Sequence, residues 1–347
     1  ATSTTTQGPA TSSTPVPSVA TSSTRAASAT SQAARDLPDP HTLRGLTEVP
    51  ELPDPKPVEG SSAQKLPVTV TDVEGNKVTI KSTSRILALD LYGTLSRTLI
   101  GLGLGDKIVG RTVSSTEKQL HDRPVVTENG HVLNVEAVAG LKPSVIIADR
   151  SVGPKEALDQ LRKSGIPVVL VDPHRSVGST PQLIRTIADA VGKPDAGEAL
   201  VKRTQEQIDQ AKKQIAAWKP AKPMRVAFLY VRGNAGVFFI LGSENGASEL
   251  IQGVGADDVA SDKGITTLVP ANAESLVSIN PDAIFVMRDG LASTGGMKGL
   301  LARAGVANTT AGRKQRVISI PDGISLSFGP QTGEVLTAVA KALYGVK

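Results

Sequence analysis

The sequence predicts an α/β protein of two similar lobes joined by one long backbone helix, with a ligand cleft between the lobes. Three observations carry this. Short β-branched runs alternate with stretches of helical spacing or with turn residues. One 24-residue segment, Asp195 to Trp218, has no proline and no glycine after Gly197, and it divides the runs into two groups. A pattern of Asn, Glu, Pro and strand then recurs on either side of it.

Taken in order, the first 34 residues contain 17 Ser or Thr and 8 Ala, with Arg25 as the single charge. Such a segment buries too little apolar surface to offset its ordering entropy, so disorder is expected. Residues 36–60 carry six prolines and a repeated Leu-Pro-Asp-Pro, at Leu37–Pro40 and Leu52–Pro55. Proline at this density favours extended, semi-rigid chain. Residues 1–65 are therefore read as a disordered Ser/Thr/Pro-rich tether, with the folded body starting near Leu66. The expected divisions are an N-terminal lobe over 66–194, the bridging helix over 195–219 and a C-terminal lobe over 220–347.

In the first lobe the expected strands are Arg85–Leu91, Ser144–Asp149 and Pro167–Val171; in the second they are Arg225–Val231, Ala283–Arg288 and Arg316–Ile320. The bridging helix would span about 36 Å at 1.5 Å per residue. Its apolar positions Val201, Ile208, Ala211, Ile215 and Trp218 form one buried stripe, and Lys219-Pro220 ends it. Gly233-Asn234-Ala235-Gly236 followed by Val237–Ile240 reads as a hairpin, with at least one of Phe238 and Phe239 in the core.

The internal repeat is the sharpest signal. Seven residues after Glu136 comes Pro143 and then a strand, and seven after Glu274 comes Pro281 and then a strand. Arg150 and Arg288 each lie 14 residues beyond their Glu. Asn134 and Asn272 are expected helix N-caps, and each Glu falls in the first turn. A carboxylate there interacts favourably with the helix dipole, by about 0.3–1 kcal/mol. Two matched exposed carboxylates, one per lobe, would equally suit a partner with matched basic groups.

Composition excludes several classes. With no cysteine in 347 residues there is no disulfide scaffold, thiolate metal site, iron–sulfur cluster or Cys nucleophile. No apolar run approaches the ~20 residues that cross a bilayer, so the chain is expected to be soluble, any signal peptide having been removed already or never having existed. The 38 Lys+Arg against 33 Asp+Glu are spread along the chain and only 3% of residues are aromatic, which argues against nucleic acid. No nucleophile elbow, His-Glu-x-x-His motif or phosphate loop in the right context nominates an enzyme.

Histidine and tyrosine are scarce enough to take singly. His41 lies in the tether, where exposure is expected; His121 and His174 read as surface and turn residues. His131, in the turn Glu128-Asn129-Gly130-His131 just before the Asn134 cap, sits on a connecting loop, where sites are usually assembled, although by itself the pattern favours a plain surface histidine over a ligand. Tyr92 and Tyr344 fall in helical patterns. Tyr230 ends a strand, and strand alternation puts Arg232 on the same side, about 7 Å along the chain. A guanidinium near a phenol favours its ionised form, and tyrosinate is a hard anionic ligand suited to ferric iron. An edge tyrosine beside an unrelated arginine would give the same pattern.

Together these features resemble the substrate-binding proteins of ATP-driven importers, in the class with a single bridging helix that includes cobalamin, siderophore and haem carriers. The twin segments Asn134–Pro143 and Ala273–Pro281 carry that resemblance, which covers almost all of 66–347. It implies that Glu136 and Glu274 dock onto arginines of the membrane permease dimer, which works with its ATPase. Around Asn129-Gly130-His131 and Tyr230-Val231-Arg232-Gly233 the sequence is similar to haem-binding lipoproteins of the HmuT type from Gram-positive bacteria. That likeness implies ferric protoporphyrin IX as transported ligand, with His131 and Tyr230 as axial ligands of its iron and Arg232 bonded to the phenolate. It further implies a monomer anchored by lipid outside the cytoplasmic membrane, upstream cell-surface haem donors and no catalysis. The lipidated cysteine of such proteins is not in this chain. Arg175 and Arg288 are the candidates for the haem propionates. The alternatives are a siderophore or cobalamin carrier of the same fold, a haem-dependent enzyme and a cell-wall adhesion module.

Overall fold

In the computed structural model, residues 36–347 are described, and Leu37–Lys347 form one unit. The disorder expected of residues 1–34 falls outside the described residues.

The first finding is a correction. Residues 37–65 do not form a free tether. Their prolines keep the chain extended, as the composition suggests, but extended chain with few amide donors can still lie along a folded surface through its carbonyls and side chains. The strand β1 (Leu46–Glu48) pairs in parallel with Val317–Ile320 of the C-terminal lobe. Val49 joins the core of that lobe, whereas Val58 joins the core of the other. Between them, the Asp54 carboxylate accepts from the amides of Lys118 and Gln119, at 2.8 and 3.0 Å. The segment is thus a strap that starts on the C-terminal lobe and ends on the N-terminal one. His41 is correspondingly half-buried rather than exposed: its Nδ1 lies 2.8 Å from Asp39, in the first of the repeated Leu-Pro-Asp-Pro motifs.

The N-terminal lobe opens with a hairpin, β2 (Val68–Thr71) and β3 (Lys77–Ile80). Its central sheet uses β4 (Ile86–Leu89), β5 (Ile108–Gly110), β8 (Val145–Ala148) and β9 (Val168–Leu170), ordered β5-β4-β8-β9 and parallel throughout. Three of these strands are buried along their whole length, which is why they read as unbroken apolar runs. A short hairpin, β6 (Thr127–Glu128) and β7 (Val132–Leu133), stands apart from this sheet.

The bridging helix runs Pro194–Trp218. Ala196, Leu200 and Val201 at its start belong to the N-terminal core, and Ala211 and Ile215 near its end belong to the C-terminal core. One amphipathic stripe therefore nails both lobes to a single rod.

The C-terminal lobe contributes β10 (Arg225–Arg232), β11 (Val237–Leu241), β12 (Asp257–Asp258), β13 (Leu268–Pro270), β14 (Ala283–Met287) and β15 (Val317–Ile320). Their order is β1-β15-β14-β10-β11-β13, with β12 also on β10; β11 and β13 run antiparallel to their neighbours. The expected β10–β11 hairpin is present, with Phe238 buried and Phe239 partly exposed. Tyr344 packs in the last helix, Thr332–Tyr344, as its pattern suggests. Tyr92 does not lie in a helix: it sits in the bend before the helix Thr94–Gly101, left there because Gly93 takes a left-handed conformation (φ 77°) that ends the run.

Candidate functional site

The junction of the lobes is built from residues that follow the parallel strands β4, β9 and β15, and the carboxyl ends of parallel strands are the usual place for ligands in open α/β sheets. The lobes touch there. Thr94 Oγ1 donates to the Ser327 carbonyl, Arg97 Nη1 donates to Gln331 Oε1 at 2.5 Å, and the Val177 amide donates to Glu249 Oε2 at 3.2 Å.

On the N-terminal side, His131 occupies the tip of the β6–β7 hairpin. Asn129 and Gly130 both take left-handed conformations (φ 51° and 86°), giving the tight reversal. The hairpin is stitched to the loop after β8 by two bonds, Gly153 N to the His131 carbonyl and Leu133 N to the Gly153 carbonyl, each 2.8 Å. The backbone of His131 is therefore pinned while its ring stays exposed, with Nδ1 3.3 Å from the Asn129 carbonyl oxygen.

Tyr230, on the C-terminal side, is near the end of β10 and half-buried. The Arg232 guanidinium lies across its ring face, 4.9 Å from the centroid, in cation–π geometry. The resemblance implied a bond from this arginine to the phenolate; in the structure its donors go elsewhere, to Asp322 Oδ2 at 2.7 Å and to the Val231 carbonyl at 3.1 Å. Burial pushes the Asp322 carboxyl above its ordinary value, opposed by the Asp289 amide and by Arg232. Spacing in sequence brought Tyr230 and Arg232 together; it held no signal for Asp322, 90 residues further on.

The two arginines named for the propionates are both occupied. Arg175 is 4% exposed and binds Asp90 and Asp149 at 3.0 and 2.6 Å, the Thr94 hydroxyl at 3.0 Å and the Asp172 carbonyl at 2.6 Å. Burial, and the Asp90 carboxylate nearby, push Asp149 up to about 6. Arg288 binds Glu51 at 2.9 Å and the Val49 carbonyl, so it fastens the strap. Its repeat counterpart Arg150 does the same for the β2–β3 hairpin through Glu74, at 2.7 Å.

Glu136 and Glu274 are both exposed in the first turn of short helices, Val135–Gly140 and Ala273–Ile279. The expected caps are present: Asn134 accepts from the Ala137 amide at 3.0 Å and Asn272 from the Ser275 amide at 2.9 Å. The repeat extends to features the sequence did not disclose. Lys142 and Asn280, each just before its proline, are left-handed at φ 49° and 36°. Arg85 donates to the Leu141 carbonyl at 2.8 Å and Arg225 to the Ile279 carbonyl at 2.6 Å, so a cation closes the C-terminal end of each helix. Neither glutamate has an ion-pair partner among the described residues.

A separate groove of about 730 Å³ lies between the strap, the bridging helix and the last helix, lined by Leu52, Gln207, Gln214 and Lys341 among others. Its lining includes none of His131, Tyr230, Arg232, Glu136 and Glu274.

Residues 91–323 match the family model described as periplasmic binding protein. The chain is 27% identical to an uncharacterized ABC transporter substrate-binding lipoprotein, YvrC of Bacillus subtilis, over 80% of this chain and 86% of that one. Among solved structures, a heme binding protein HmuT shares 49% identity at a TM-score of 0.87, covering 88% of this chain and 99% of that one. Structures of HmuT with one histidine, one tyrosine or one arginine changed to alanine also match; there the tyrosine follows the histidine by 99 residues and the arginine follows the tyrosine by 2. A periplasmic heme-binding protein, RhuT of Roseiflexus sp. RS-1, shares 32% identity at a TM-score of 0.71, over 76% of this chain and 99% of that one. Two α/β lobes on one bridging helix, with a matched glutamate-bearing helix on each, are thus the build of a protein that belongs to the periplasmic binding protein family.

Proposed function

We propose that this protein captures ferric haem between its lobes and delivers it to the permease of an ABC importer for haem and iron uptake. His131 supplies a neutral nitrogen from the N-terminal lobe and Tyr230 an anionic oxygen from the C-terminal lobe, and Arg232 stabilises the phenolate from the face of its ring. An iron held from both lobes ties them together. Both axial positions are then filled, which favours storage and delivery over catalysis.

One observation carries the reading. Tyr230 follows His131 by 99 residues and Arg232 follows Tyr230 by 2, the same separations as the three residues varied in HmuT. The stacked guanidinium gives that trio a physical role here, since it holds the Tyr230 ring by cation–π attraction at 4.9 Å. Glu136 and Glu274, exposed on equivalent helices, are the contacts for arginines of the permease dimer. The protein works as a monomer on the outer face of the cytoplasmic membrane of a Gram-positive bacterium, held by lipid and receiving haem from cell-surface donors; its likeness to a substrate-binding lipoprotein supports that location.

The test is a titration of the haem-free protein with ferric haem, followed by visible absorption. A saturable one-to-one Soret change is expected in the wild type, and the His131→Ala, Tyr230→Ala double variant is expected to lose at least a hundredfold in affinity, or about 2.7 kcal/mol. Unchanged binding by that variant defeats the ligand assignment; saturation by a siderophore or corrinoid instead moves the protein to another carrier of the same fold. The Glu136→Ala, Glu274→Ala variant should bind haem normally yet fail in permease-coupled uptake.

A further inference from the structure

The C-terminal ends of β10, β14 and β15 lie side by side in the sheet, and each contributes to one arrangement around Arg232. Arg232 itself extends from β10. The last residue of β14 is Met287, whose sulfur is 3.5 Å from Nη2, and the residues after the strand supply the amide of Asp289. The residues after β15 supply Asp322, whose carboxylate bridges the set: Oδ1 accepts from the Asp289 amide at 2.8 Å, and Oδ2 accepts from Arg232 Nη2 at 2.7 Å. Gly290 completes the seat. A Cβ there would collide with Arg232 Nη1 and approach the Val231 carbonyl oxygen to 2.6 Å, so only glycine lets the guanidinium lie where it does.

We propose that Asp322 is a positioning residue for the tyrosine ligand: through its bond to Arg232 it holds the guanidinium across the Tyr230 ring and so sets the donor strength of the phenolate oxygen toward ferric iron. This rests on the reading of Tyr230 as an axial ligand. The physical argument is one of charge and geometry. A lone guanidinium against a phenolate withdraws electron density from it and is drawn to its oxygen, where it would compete with the iron. Paired with a carboxylate, the guanidinium acts on the ring as an oriented dipole of little net charge, and it is held at the face rather than at the oxygen. Partners of this kind, one step removed from the ligand, typically change metal affinity by 10–100-fold.

The experiment compares Asp322→Asn in two backgrounds, wild type and Arg232→Ala, by ferric haem affinity and by the phenolate-to-iron charge-transfer band. Asparagine keeps an acceptor for the Asp289 amide and removes the charge that holds Arg232. In the wild-type background affinity should fall about tenfold and the band should shift; in the Arg232→Ala background both should stay within about twofold of that parent. Asp322→Glu, with its carboxylate retained, should restore the band. An equal change in both backgrounds, or an unmoved band in Asp322→Asn, overturns the proposal while leaving Tyr230 as ligand. Tyr230→Phe serves as the control: if it keeps the wild-type spectrum, the axial-ligand reading fails, and the proposal falls with it.

Discussion

The N-terminal lobe buries Arg97 and Arg175 almost completely and the C-terminal lobe Arg316, and Arg175 and Arg316 are compensated in different ways. Arg175 in the N-terminal lobe faces two carboxylates, Asp90 and Asp149. Arg316 in the C-terminal lobe is 2% exposed and meets no carboxylate among the described residues; it donates to the carbonyls of Ala342 and Leu343, at 2.6 and 3.2 Å, and to the Thr47 hydroxyl at 2.7 Å. Its counter-charge is the negative end of the last helix. Burial lowers the Arg316 pKa accordingly. The difference follows position. Arg175 sits beside the cleft and reaches, through Thr94, the contact with Ser327 on the other lobe. Arg316 sits where strap, sheet and last helix meet, a joint of carbonyl groups in which a carboxylate would itself need a partner. An ion pair stands near the junction of the lobes, and a dipole clamp where the structure is fixed.

Arg175→Ala should do the most damage, because it strands two carboxylates: a loss of about 3–5 kcal/mol at pH 7 in urea unfolding. Arg316→Ala leaves only unsatisfied carbonyls and should cost about 1–3 kcal/mol. The reverse order would break the distinction between the two arginines.

The pH dependence sharpens it. Asp149 titrates at about 6 in the folded protein against an ordinary 3.8. Between those values the folded state binds more protons than the unfolded one, so this group's contribution to stability falls as pH rises from about 4 to about 6, by roughly 3 kcal/mol in all. Urea unfolding of Asp149→Asn from pH 4 to pH 7 should lack that slope, whereas Arg316→Ala should retain it.

The smallest effects compare the twin helices. Asn134→Ala and Asn272→Ala should each cost about 1 kcal/mol in thermal unfolding. Ser275→Ala, which removes the hydroxyl that accepts from the Asn272 amide and so the second bond of the capping box, should cost less than either. An unchanged melting temperature for Ser275→Ala would mean that this bond adds nothing.

These contrasts also mark what the sequence could disclose. Buried parallel strands such as β8 and β14 are legible because full burial demands consecutive β-branched or apolar residues. The glutamate helices are legible because N-caps and a terminal proline are local constraints. Tyr230 and Arg232 share a face by strand alternation alone. The strap was misread because its prolines suit both a solvated chain and a docked one, and only the distant surface beneath decides between them. Asp322, Gly290 and the pairing of Arg175 were hidden for a related reason: each depends on strand ends that the sheet brings together from 26 to 90 residues apart, and no local pattern records that.

The strap has a consequence for assembly during synthesis. Arg316 and Gly45, in contact beside β1, are 271 residues apart in sequence. The edge strand β1 of the second sheet is thus synthesised long before its partner β15. The first lobe lies wholly between them, so in topology it is an insertion within the second. Because closing so long a loop must wait for the contacts that reward it, β1 docks late. The first lobe's four-stranded sheet uses none of that long-range pairing, so it can close before β1 reaches β15.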